Sequence, residues 1–463
     1  MQDNFQKFSD LRKMYPVFVY HSYRYEMVEK GDILISFSFS VGKQICYNPK
    51  IYIKKHPLFN SFYTSGNWEK LNPFVFSIGM IELLSYWKAT CSPVIEVKAG
   101  NWDDEAISFW KKLYFNGLGE FLYTHLIDVT MDELVTIVPS SFSDSSKSFF
   151  GLKEETIVPI GGGKDSVVTL EELRTSQSVI PMIINPRKAT CETIKVAGFE
   201  NNFLEIQREI DPVLLDLNAK GFLNGHTPFS AMLAFYSLLL GVLSGRKNIA
   251  LSNESSANET TVPGTEINHQ YSKSYPFEAD FRKFVKQYLS DELNYYSFLR
   301  PLSELQIALL FSQHPQYFSA FKSCNVGSKQ DVWCCHCSKC LFTFIILSPF
   351  IAPEKMKEIY GENLFENLSL LHTLQELCGL TSEKPFECVG TTEEVCIALI
   401  QAMKQYETLP VLLQYFAETD LYKKYAEVDF NKELMRFEEN HFLKELEINQ
   451  LINKIKKVVN INK

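Results

Sequence analysis

Three consecutive glycines form the stretch of this sequence whose residue types point most directly to chemistry. Gly161, Gly162 and Gly163 lie between an apolar, β-prone run at residues 156–160 and a helical pattern at residues 167–173. Glycine tolerates positive φ, and the successive amide N–H groups of such a turn bind anions, helped by the N-terminus of the next helix. The spacing therefore predicts a strand, a turn and a helix that together bind a phosphate group.

The residues directly after the glycines strengthen this prediction. They are Lys164, Asp165 and Ser166. Ser166 can cap the helix or donate a hydrogen bond to a phosphate oxygen, and Asp165 can hold Mg²⁺, which prefers carboxylate and phosphate oxygens. A tight turn without a ligand is the alternative, and the Walker pattern is excluded because its Gly-Lys-Ser/Thr spacing is absent. We predict that residues 161–166 bind ATP with Mg²⁺.

Four cysteines form a second group with a chemical signature. Cys334, Cys337 and Cys340 have C-x2-C-x2-C spacing, and Cys324 supplies a fourth thiolate. Zn²⁺ binds four soft or borderline ligands in a tetrahedron, and a site whose four positions all come from protein is structural. The alternatives are a shifted set that uses one of the two residues between Cys334 and Cys337, and a buried turn with free thiols. The spacing predicts one structural zinc site.

A long polar loop at residues 253–273 follows an apolar run at residues 248–252. Loops of this length in compact domains are functional or disordered, and parallel strands present ligands at their carboxyl ends. Asn253 can donate to carbonyl groups, Glu254 can help to hold Mg²⁺, and Lys273 can neutralise a carboxylate or a phosphate. We therefore expect this loop to face the same crevice as the glycine turn; a solvated surface loop is the alternative.

Alternating strand and helix patterns position these motifs. From residue 156 onward, apolar runs of strand length alternate with helical patterns, which predicts a parallel sheet covered by helices. The fold class that we predict is α/β, with a Rossmann-like parallel sheet at its core. The predicted strands lie at residues 156–160, 179–184, 203–207 and 248–252, and a buried helix lies at residues 228–243.

The chain of 463 residues is long enough for two to four domains. A polar, Ser-rich segment at residues 143–148 predicts a linker. We also predict helices at residues 277–320, with a break at residues 299–303, and a surface amphipathic helix at residues 438–463. We predict an N-terminal α+β domain, an ATP-binding domain that includes the cysteine cluster, and a helical C-terminal region, at residues 1–150, 151–350 and 351–463.

Charge and composition argue against several classes of protein. A formal net charge of −9 and a pI near 5.6 are unlike the basic balance of nucleic-acid binders. Apolar runs at residues 229–243 and 341–351 are too short to cross a bilayer and predict buried helices. The first residues show no signal-peptide pattern, so the eleven cysteines predict reduced thiols in the cytoplasm. We expect neither nucleic acid nor a membrane as partner.

The glycine turn resembles the PP-loop of the ATP pyrophosphatase family, Ser-Gly-Gly-x-Asp-Ser, with Gly161 in place of the first serine. This departure removes one hydroxyl contact to the phosphates. Over most of its length the chain is similar to the MurL family, ATP-dependent epimerases of UDP-N-acetylmuramoyl-L-alanyl-L-glutamate, and the resemblance implies a PP-loop, HUP-like core. The similar segments are residues 79–89, 117–121, 161–166, 251–254, 268–273, 333–340 and 384–390.

The resemblance implies that the terminal L-glutamate of a UDP-sugar peptide is inverted to D-glutamate during peptidoglycan precursor synthesis. An α-proton next to a carboxylate is very weakly acidic, because the enolate would carry a second negative charge. Transfer of AMP from ATP to that carboxylate removes the charge and releases pyrophosphate. A base then removes the α-proton, a second group returns a proton to the other face, and water releases AMP and the product.

The candidate acid/base groups for this reaction are His226, His269, Tyr271, Lys273 and Cys388. Two facing cysteines would suit epimerisation without a cofactor, but the sequence gives Cys388 no partner, and a buried or capping role is an equal alternative for each residue. Two other functions stay open. One is a PP-loop ligase or tRNA- or base-modifying enzyme that forms an adenylate, and the other is a nucleotide-binding scaffold without activity.

Overall fold

The computed structural model describes residues 4–140, 147–262, 264–265 and 267–461. Residues 143–146 of the predicted Ser-rich linker lie outside the described residues. Within the described part of the chain, no helix is long and apolar enough to cross a membrane.

Eleven strands in the described residues form one sheet. They are β1 (Val17–Met27), β2 (Ile33–Val41), β3 (Ile45–Tyr47), β4 (Lys50–Ile53), β5 (Val94–Val97), β6 (Thr136–Pro139), β7 (Lys153–Pro159), β8 (Val179–Ile184), β9 (Leu204–Glu209), β10 (Arg246–Leu251) and β11 (Asn294–Ser297). Their order is β11-β10-β7-β8-β9-β4-β2-β1-β5-β6, and β3 pairs with β2. The five strands from β11 to β9 are all parallel, whereas β4 joins β9 in antiparallel orientation.

The strand residues show why the sheet is covered on both faces in its parallel half. Ile157 of β7 and Ile249 of β10 belong to the core on one face, and their neighbours Val158 and Ala250 belong to the core on the other face. Side chains alternate across a strand, so a strand buried on both faces reads as a continuous apolar run. The predicted α/β class with a parallel sheet is confirmed.

Twenty α-helices surround the sheet in the described part of the chain. They are α1 (Asn4–Met14), α2 (Asn60–Ser65), α3 (Asn72–Trp87), α4 (Asp104–Gly117), α5 (Gly119–Thr124), α6 (Met131–Leu134), α7 (Lys164–Leu173), α8 (Lys188–Val196), α9 (Pro212–Ala219), α10 (Phe229–Ser244), α11 (Tyr275–Phe284), α12 (Glu304–Ser312), α13 (Ser338–Leu347), α14 (Pro353–Tyr360), α15 (Leu371–Leu377), α16 (Thr392–Met403), α17 (Val411–Ala417), α18 (Asp420–Tyr425), α19 (Phe430–Glu433) and α20 (Glu445–Ile461). Helices α3, α4, α10 and α11 pack in the first core, and α7, α12, α13, α16 and α20 pack in the second.

The apolar runs predicted as buried helices are α10 and α13. Almost every residue of α10 is buried, because the helix lies between the sheet and α3. Gly241 permits its close approach, since a Cβ there would lie 3.0 Å from the carbonyl oxygen of Arg246. A helix that is apolar on all sides is explained by burial inside the domain.

Two predictions outside the site are revised by the structure. The segment at residues 277–320 is not helical throughout, because β11 (Asn294–Ser297) lies within it and adds an edge strand beside β10. The C-terminal helix is confirmed over α20, and it is packed: Leu451 and Ile455 are fully buried in the second core. An amphipathic pattern alone does not show which surface the apolar face covers.

The sheet is continuous across the predicted domain boundary near residue 150. Residues 50–53 of β4 pair with residues 206–209 of β9, so strands from both sides of the boundary share one hydrogen-bonded sheet. The division into three domains stays a prediction.

Candidate active site

The glycine turn connects β7 to α7 at the carboxyl edge of the parallel strands. Gly162 has φ of 87°, which favours glycine, and a Cβ there would lie 3.2 Å from Cβ of Ala189. Gly161 faces open space, and Gly163 caps α7 without a side-chain hydrogen bond. The first amide N–H groups of α7 therefore have no side-chain cap, and this arrangement fits an anionic group.

A crevice of about 650 Å³ lies in front of this turn. It opens where strand order reverses, between β7, which continues to β8 on one side, and β10 on the other. This is the position at which open α/β sheets bind ligands. Among the predicted site residues, those that line the crevice are Gly161, Gly163, Asp165, Ser166, Asn253, Lys273, Cys324 and Cys388.

Lys164 lies behind the turn instead of lining the crevice. Its side chain is 3% exposed, and its amine forms ion pairs with Asp165 and with Glu304 of α12. Burial would lower the pKa of this amine, but the two carboxylates hold its pKa above the ordinary value. Ser166 donates a hydrogen bond to the carbonyl oxygen of Gly163 over 3.1 Å. Lys164 therefore fixes the position of Asp165, whose carboxylate reaches the crevice.

The predicted loop at residues 253–273 is folded against the protein. Asn253 donates to Oγ of Ser297 over 3.0 Å and lines the crevice, whereas Glu254 is buried beside it. The carbonyl oxygen of Glu254 accepts from the fully buried Arg300 at 2.7 Å. The start of the loop, at Asn253 and Glu254, is therefore packed against the protein and is not a solvated excursion.

Cys388 lies at the crevice between two lysines. Its Sγ is 3.0 Å from Nζ of Lys273, and its carbonyl oxygen accepts a hydrogen bond from Nζ of Lys339. Burial would raise the pKa of the Cys388 thiol, but Lys273, His269 and Lys339 lower it to about 6. The thiolate is therefore the main form of Cys388 at neutral pH, and thiolates are the nucleophilic form of cysteine.

His269 connects Cys388 to a carboxylate. Nδ1 of His269 is hydrogen-bonded to Oε2 of Glu120, and the ring lies close enough to Cys388 for each group to shift the pKa of the other. Burial would lower the pKa of His269, but Cys388 and Glu120 raise it to about 9. A carboxylate, an imidazolium and a thiolate therefore lie together, and a histidine that activates a nucleophile needs these three kinds of group.

His226 shares the same carboxylate but has the opposite protonation state. Its Nδ1 is 3.1 Å from Oε2 of Glu120, and its ring centroid is 4.6 Å from that of His269. Burial and the neighbouring His269 lower the pKa of His226 to about 4. The ligand-type atoms of these three residues lie within 4.8 Å of one another, and the hydrogen bonds to Glu120 account for that proximity.

Lys88 completes the surroundings of His226. Its amine donates to the carbonyl oxygen of Gly225 and to Oγ1 of Thr227, the latter over 2.6 Å. Burial and the charge of Arg208 lower the pKa of Lys88 to about 8. Lys88 therefore holds the turn at residues 225–227, which contains His226 and precedes α10.

Tyr271 is not brought into this group. It packs beside Phe277, with ring centroids 5.9 Å apart, against the first core. Burial raises the pKa of its hydroxyl well above the ordinary value. Its side chain is a core contact next to the short helical turn Tyr271–Lys273, which places Lys273 toward Cys388.

The four predicted metal ligands do come together. Their sulfur atoms lie within 4.8 Å of one another, with Cys324 and Cys337 at 3.9 Å and Cys334 and Cys340 at 3.8 Å. A tetrahedron with Zn–S bonds of about 2.3 Å has S···S edges of about 3.8 Å. Amide N–H of Gly327 donates to Sγ of Cys324 over 3.0 Å. The donor set and its spacing fit one tetrahedral metal ion.

Cys335 and His336, the two residues between Cys334 and Cys337, point away from the four-cysteine cluster. Sγ of Cys335 donates to the carbonyl oxygen of Tyr360 over 3.3 Å, and its φ of 60° turns it away from its neighbours. The ring of His336 is exposed and contacts the carbonyl oxygen of Cys334 at 2.6 Å. Neither belongs to the cluster, so the shifted set that the sequence left open is excluded by geometry.

Sequence reasoning missed three residues of the site. They are Glu120, which binds both histidines; Glu304, which binds Lys164; and Lys339, which holds Cys388. Glu120 lies within a segment noted for its family similarity, and Lys339 lies within the cysteine cluster. A glutamate or a lysine on a helix carries no signal of its own, because most such residues are solvated surface groups.

A glycine turn at a helix N-terminus and an ion-paired cysteine and lysine line one crevice at the edge of a parallel sheet, which is an arrangement typical of an α/β enzyme. The family follows from the comparison with known proteins. The chain belongs to the MurL family: the MurL N-terminal domain model matches residues 9–298, and the MurL C-terminal domain model matches residues 319–428.

Three relatives carry the name UDP-N-acetyl-alpha-D-muramoyl-L-alanyl-L-glutamate epimerase. The protein from a Micromonospora species is 33% identical over 71% of this chain and 75% of its own length. The Xanthomonas oryzae protein is 33% identical over 68% of this chain and 71% of its own. The Salinispora tropica protein is 35% identical over 68% and 70%. No solved structure matched the chain.

Proposed function

We propose that this protein inverts the terminal L-glutamate of UDP-MurNAc-L-Ala-L-Glu to D-glutamate in an ATP-dependent reaction of peptidoglycan precursor synthesis. The relatives named as this epimerase support the reaction and its UDP-sugar peptide substrate. The single observation that carries the proposal is that Asp165 and Ser166 line the same crevice as Cys388. The turn proposed to activate the carboxylate and the proposed catalytic residues Lys273 and Cys388 thus line one crevice.

ATP occupies the glycine turn in this proposal, and the turn is a PP-loop of HUP-like type. Gly161, Gly163 and Ser166 bind the phosphates through backbone N–H groups and a hydroxyl, and Asp165 holds Mg²⁺. Asn253 lies across the crevice from the turn, and the buried Glu254 supports it. Gly162 and Lys164 shape the site. Gly162 forms the turn, and Lys164 holds Asp165 through an ion pair.

The α-carboxylate of the terminal glutamate attacks the α-phosphorus of ATP, and pyrophosphate leaves. The resulting acyl-adenylate has lost the carboxylate charge, so its α-proton is far more acidic. Hydrolysis later releases AMP. These steps make the overall inversion thermodynamically favourable, because ATP is cleaved to AMP and pyrophosphate.

His226 and His269 are the proposed proton acceptor and donor. Their environments push the two pKa values apart, to about 4 and about 9, so one imidazole is neutral and the other is charged at neutral pH. Such a divergence between neighbouring groups marks an acid/base assignment. Lys273 and Cys388 complete the catalytic group, with Lys273 neutralising negative charge beside the thiolate.

The four-cysteine cluster holds a structural Zn²⁺ in this proposal. The cluster closes the segment that leads into α13, and its four sulfur atoms leave no position for a substrate. Reduced cysteine ligands, ATP and a nucleotide-linked precursor together support a cytoplasmic location. The acidic net charge supports a small-molecule substrate instead of a nucleic acid.

The test is incubation of the purified protein with ATP, Mg²⁺ and UDP-MurNAc-L-Ala-L-Glu, followed by acid hydrolysis and chiral analysis of the glutamate. D-glutamate should appear together with stoichiometric AMP and pyrophosphate, and neither should form without the peptide substrate. Inversion without ATP consumption would contradict the adenylate. Pyrophosphate release without inversion would favour a ligase.

A further inference from the structure

The position and the neighbours of the Cys388 thiol are those of a catalytic nucleophile. It faces the crevice beside the glycine turn, and its Sγ is 3.0 Å from the Lys273 amine. His269 lies close enough to Cys388 to lower the pKa of its thiol, and Nδ1 of His269 is hydrogen-bonded to Glu120. A nucleophile, a histidine and a carboxylate that orients the histidine are the three parts of covalent acyl transfer.

The backbone around Cys388 is also held in place. Lys339 donates to the carbonyl oxygen of Cys388, and the amide of Val389 donates to the carbonyl oxygen of Glu387 over 2.9 Å. Positioned nucleophiles require this kind of restraint, because a misplacement of about 1 Å can cost about 100-fold in rate.

We propose that Cys388 takes the glutamyl group from the adenylate as a thioester, and that the α-carbon is inverted while it is attached to the enzyme. This inference rests on the proposed function, because the adenylate must form first. It changes the role of Cys388 from proton transfer to covalent catalysis and leaves proton transfer to the two histidines.

The step balances without any added reagent. The Cys388 thiolate attacks the carbonyl carbon, a C–S bond forms, the bond between that carbon and the AMP oxygen breaks, and AMP leaves with the electron pair. After proton removal and return at the α-carbon, water attacks the thioester. The C–S bond then breaks, the thiolate is restored, and the water yields the second carboxylate oxygen and two protons.

A thioester serves this reaction for two physical reasons. Sulfur donates poorly into the carbonyl, so an α-proton of a thioester is more acidic than that of an oxygen ester. Covalent attachment also keeps the α-carbon beside His226 and His269 after AMP has left, which preserves the proximity contribution to the rate. The thioester is therefore a better-held substrate for proton exchange than a bound adenylate.

Isotope exchange separates the two partial reactions. Formation of the adenylate alone allows labelled pyrophosphate to enter ATP. Labelled AMP enters ATP only if an acyl-enzyme exists, because AMP must displace Cys388 to rebuild the adenylate before pyrophosphate can convert it to ATP. Both exchanges are measured with Mg²⁺, ATP, pyrophosphate, AMP and UDP-MurNAc-L-Ala-L-Glu, with either pyrophosphate or AMP labelled.

The wild-type protein should catalyse both exchanges. Cys388→Ser should keep pyrophosphate exchange, which also shows that it is folded, and should lose AMP exchange by at least about 100-fold. Cys46→Ser, at an exposed cysteine of β3, is the control and should keep both. Acid-quenched wild-type protein should carry the substrate on the peptide that contains Cys388, in a linkage that hydroxylamine cleaves.

The outcomes distinguish the two levels of the proposal. Pyrophosphate exchange without AMP exchange in the wild type, or AMP exchange that survives in Cys388→Ser, would overturn the thioester and leave the adenylate standing. Absence of pyrophosphate exchange in the wild type would overturn the adenylate, and the thioester with it.

Discussion

Nζ of Lys273 lies 3.0 Å from Sγ of Cys388, although the two residues are separated by 115 positions in the chain. The contact brings together a loop that follows β10 and a loop that precedes α16. Burial would lower the pKa of Lys273, but the Cys388 thiolate and Glu254 hold it above the ordinary value. The lysine is therefore a permanent cation beside the thiol, and it favours the charged form of the thiol.

The first prediction concerns the pH dependence of Cys388 alkylation. Iodoacetamide reacts with the thiolate, so the rate at Cys388 should rise through a pKa of about 6, because Lys273, His269 and Lys339 outweigh the effect of burial. Lys273→Met should raise that pKa, and a rise of about one unit would slow alkylation at pH 6.5 by about threefold. The site of modification is followed by peptide mass spectrometry. An unchanged profile in Lys273→Met would contradict the proposed contact.

The second prediction concerns Asp165. Asp165→Asn should abolish ATP-dependent pyrophosphate release, because an amide binds Mg²⁺ much more weakly than a carboxylate. The fold should survive, since Lys164 keeps its ion pair with Glu304. Asp420→Asn, at an exposed carboxylate of α18, is the control. Wild-type turnover in Asp165→Asn, with melting temperatures equal, would remove the assignment of the glycine turn.

The third prediction concerns the metal. Elemental analysis should find one zinc per chain, and Cys337→Ser should lose it and melt at a lower temperature, because metal binding is coupled to folding. Cys335→Ser is a matched control two residues away, since the sulfur of Cys335 contacts Tyr360 and not the cluster. No zinc in the wild-type protein, together with equal melting of Cys337→Ser and the wild type, would show that the four cysteines are free thiols.

The fourth prediction concerns proton exchange. In deuterated water the product should gain an α-deuteron, and no exchange should occur without ATP. Lys273→Ala and Glu254→Gln should each lower the exchange rate by more than tenfold, which corresponds to about 1.4 kcal/mol or more of transition-state stabilisation. Lys423→Ala, at an exposed lysine of α18, should leave it unchanged. Equal incorporation with and without ATP would contradict the adenylate.

Local patterns in the sequence predicted the elements and the two motifs that depend on short spacing. The strand at residues 179–184 is β8, and the four cysteines converge as their spacing indicates. Contacts between distant segments were not predictable. Nothing in the sequence pairs Cys388 with His269 or Glu120, because their approach depends on how α5 and the loops at the sheet edge pack. The short strand β11 was missed for the related reason that edge pairing adds no strong local pattern.

The residues that we propose for catalysis come from parts of the chain that leave the ribosome at different times. Cys388 comes last in the chain among these residues. It follows Glu120, the glycine turn, His226 and His269. A nascent chain that has reached β11 contains every strand of the described sheet but not the reactive thiol. Vectorial synthesis therefore delays the arrival of the nucleophile until the scaffold that restrains it has been translated.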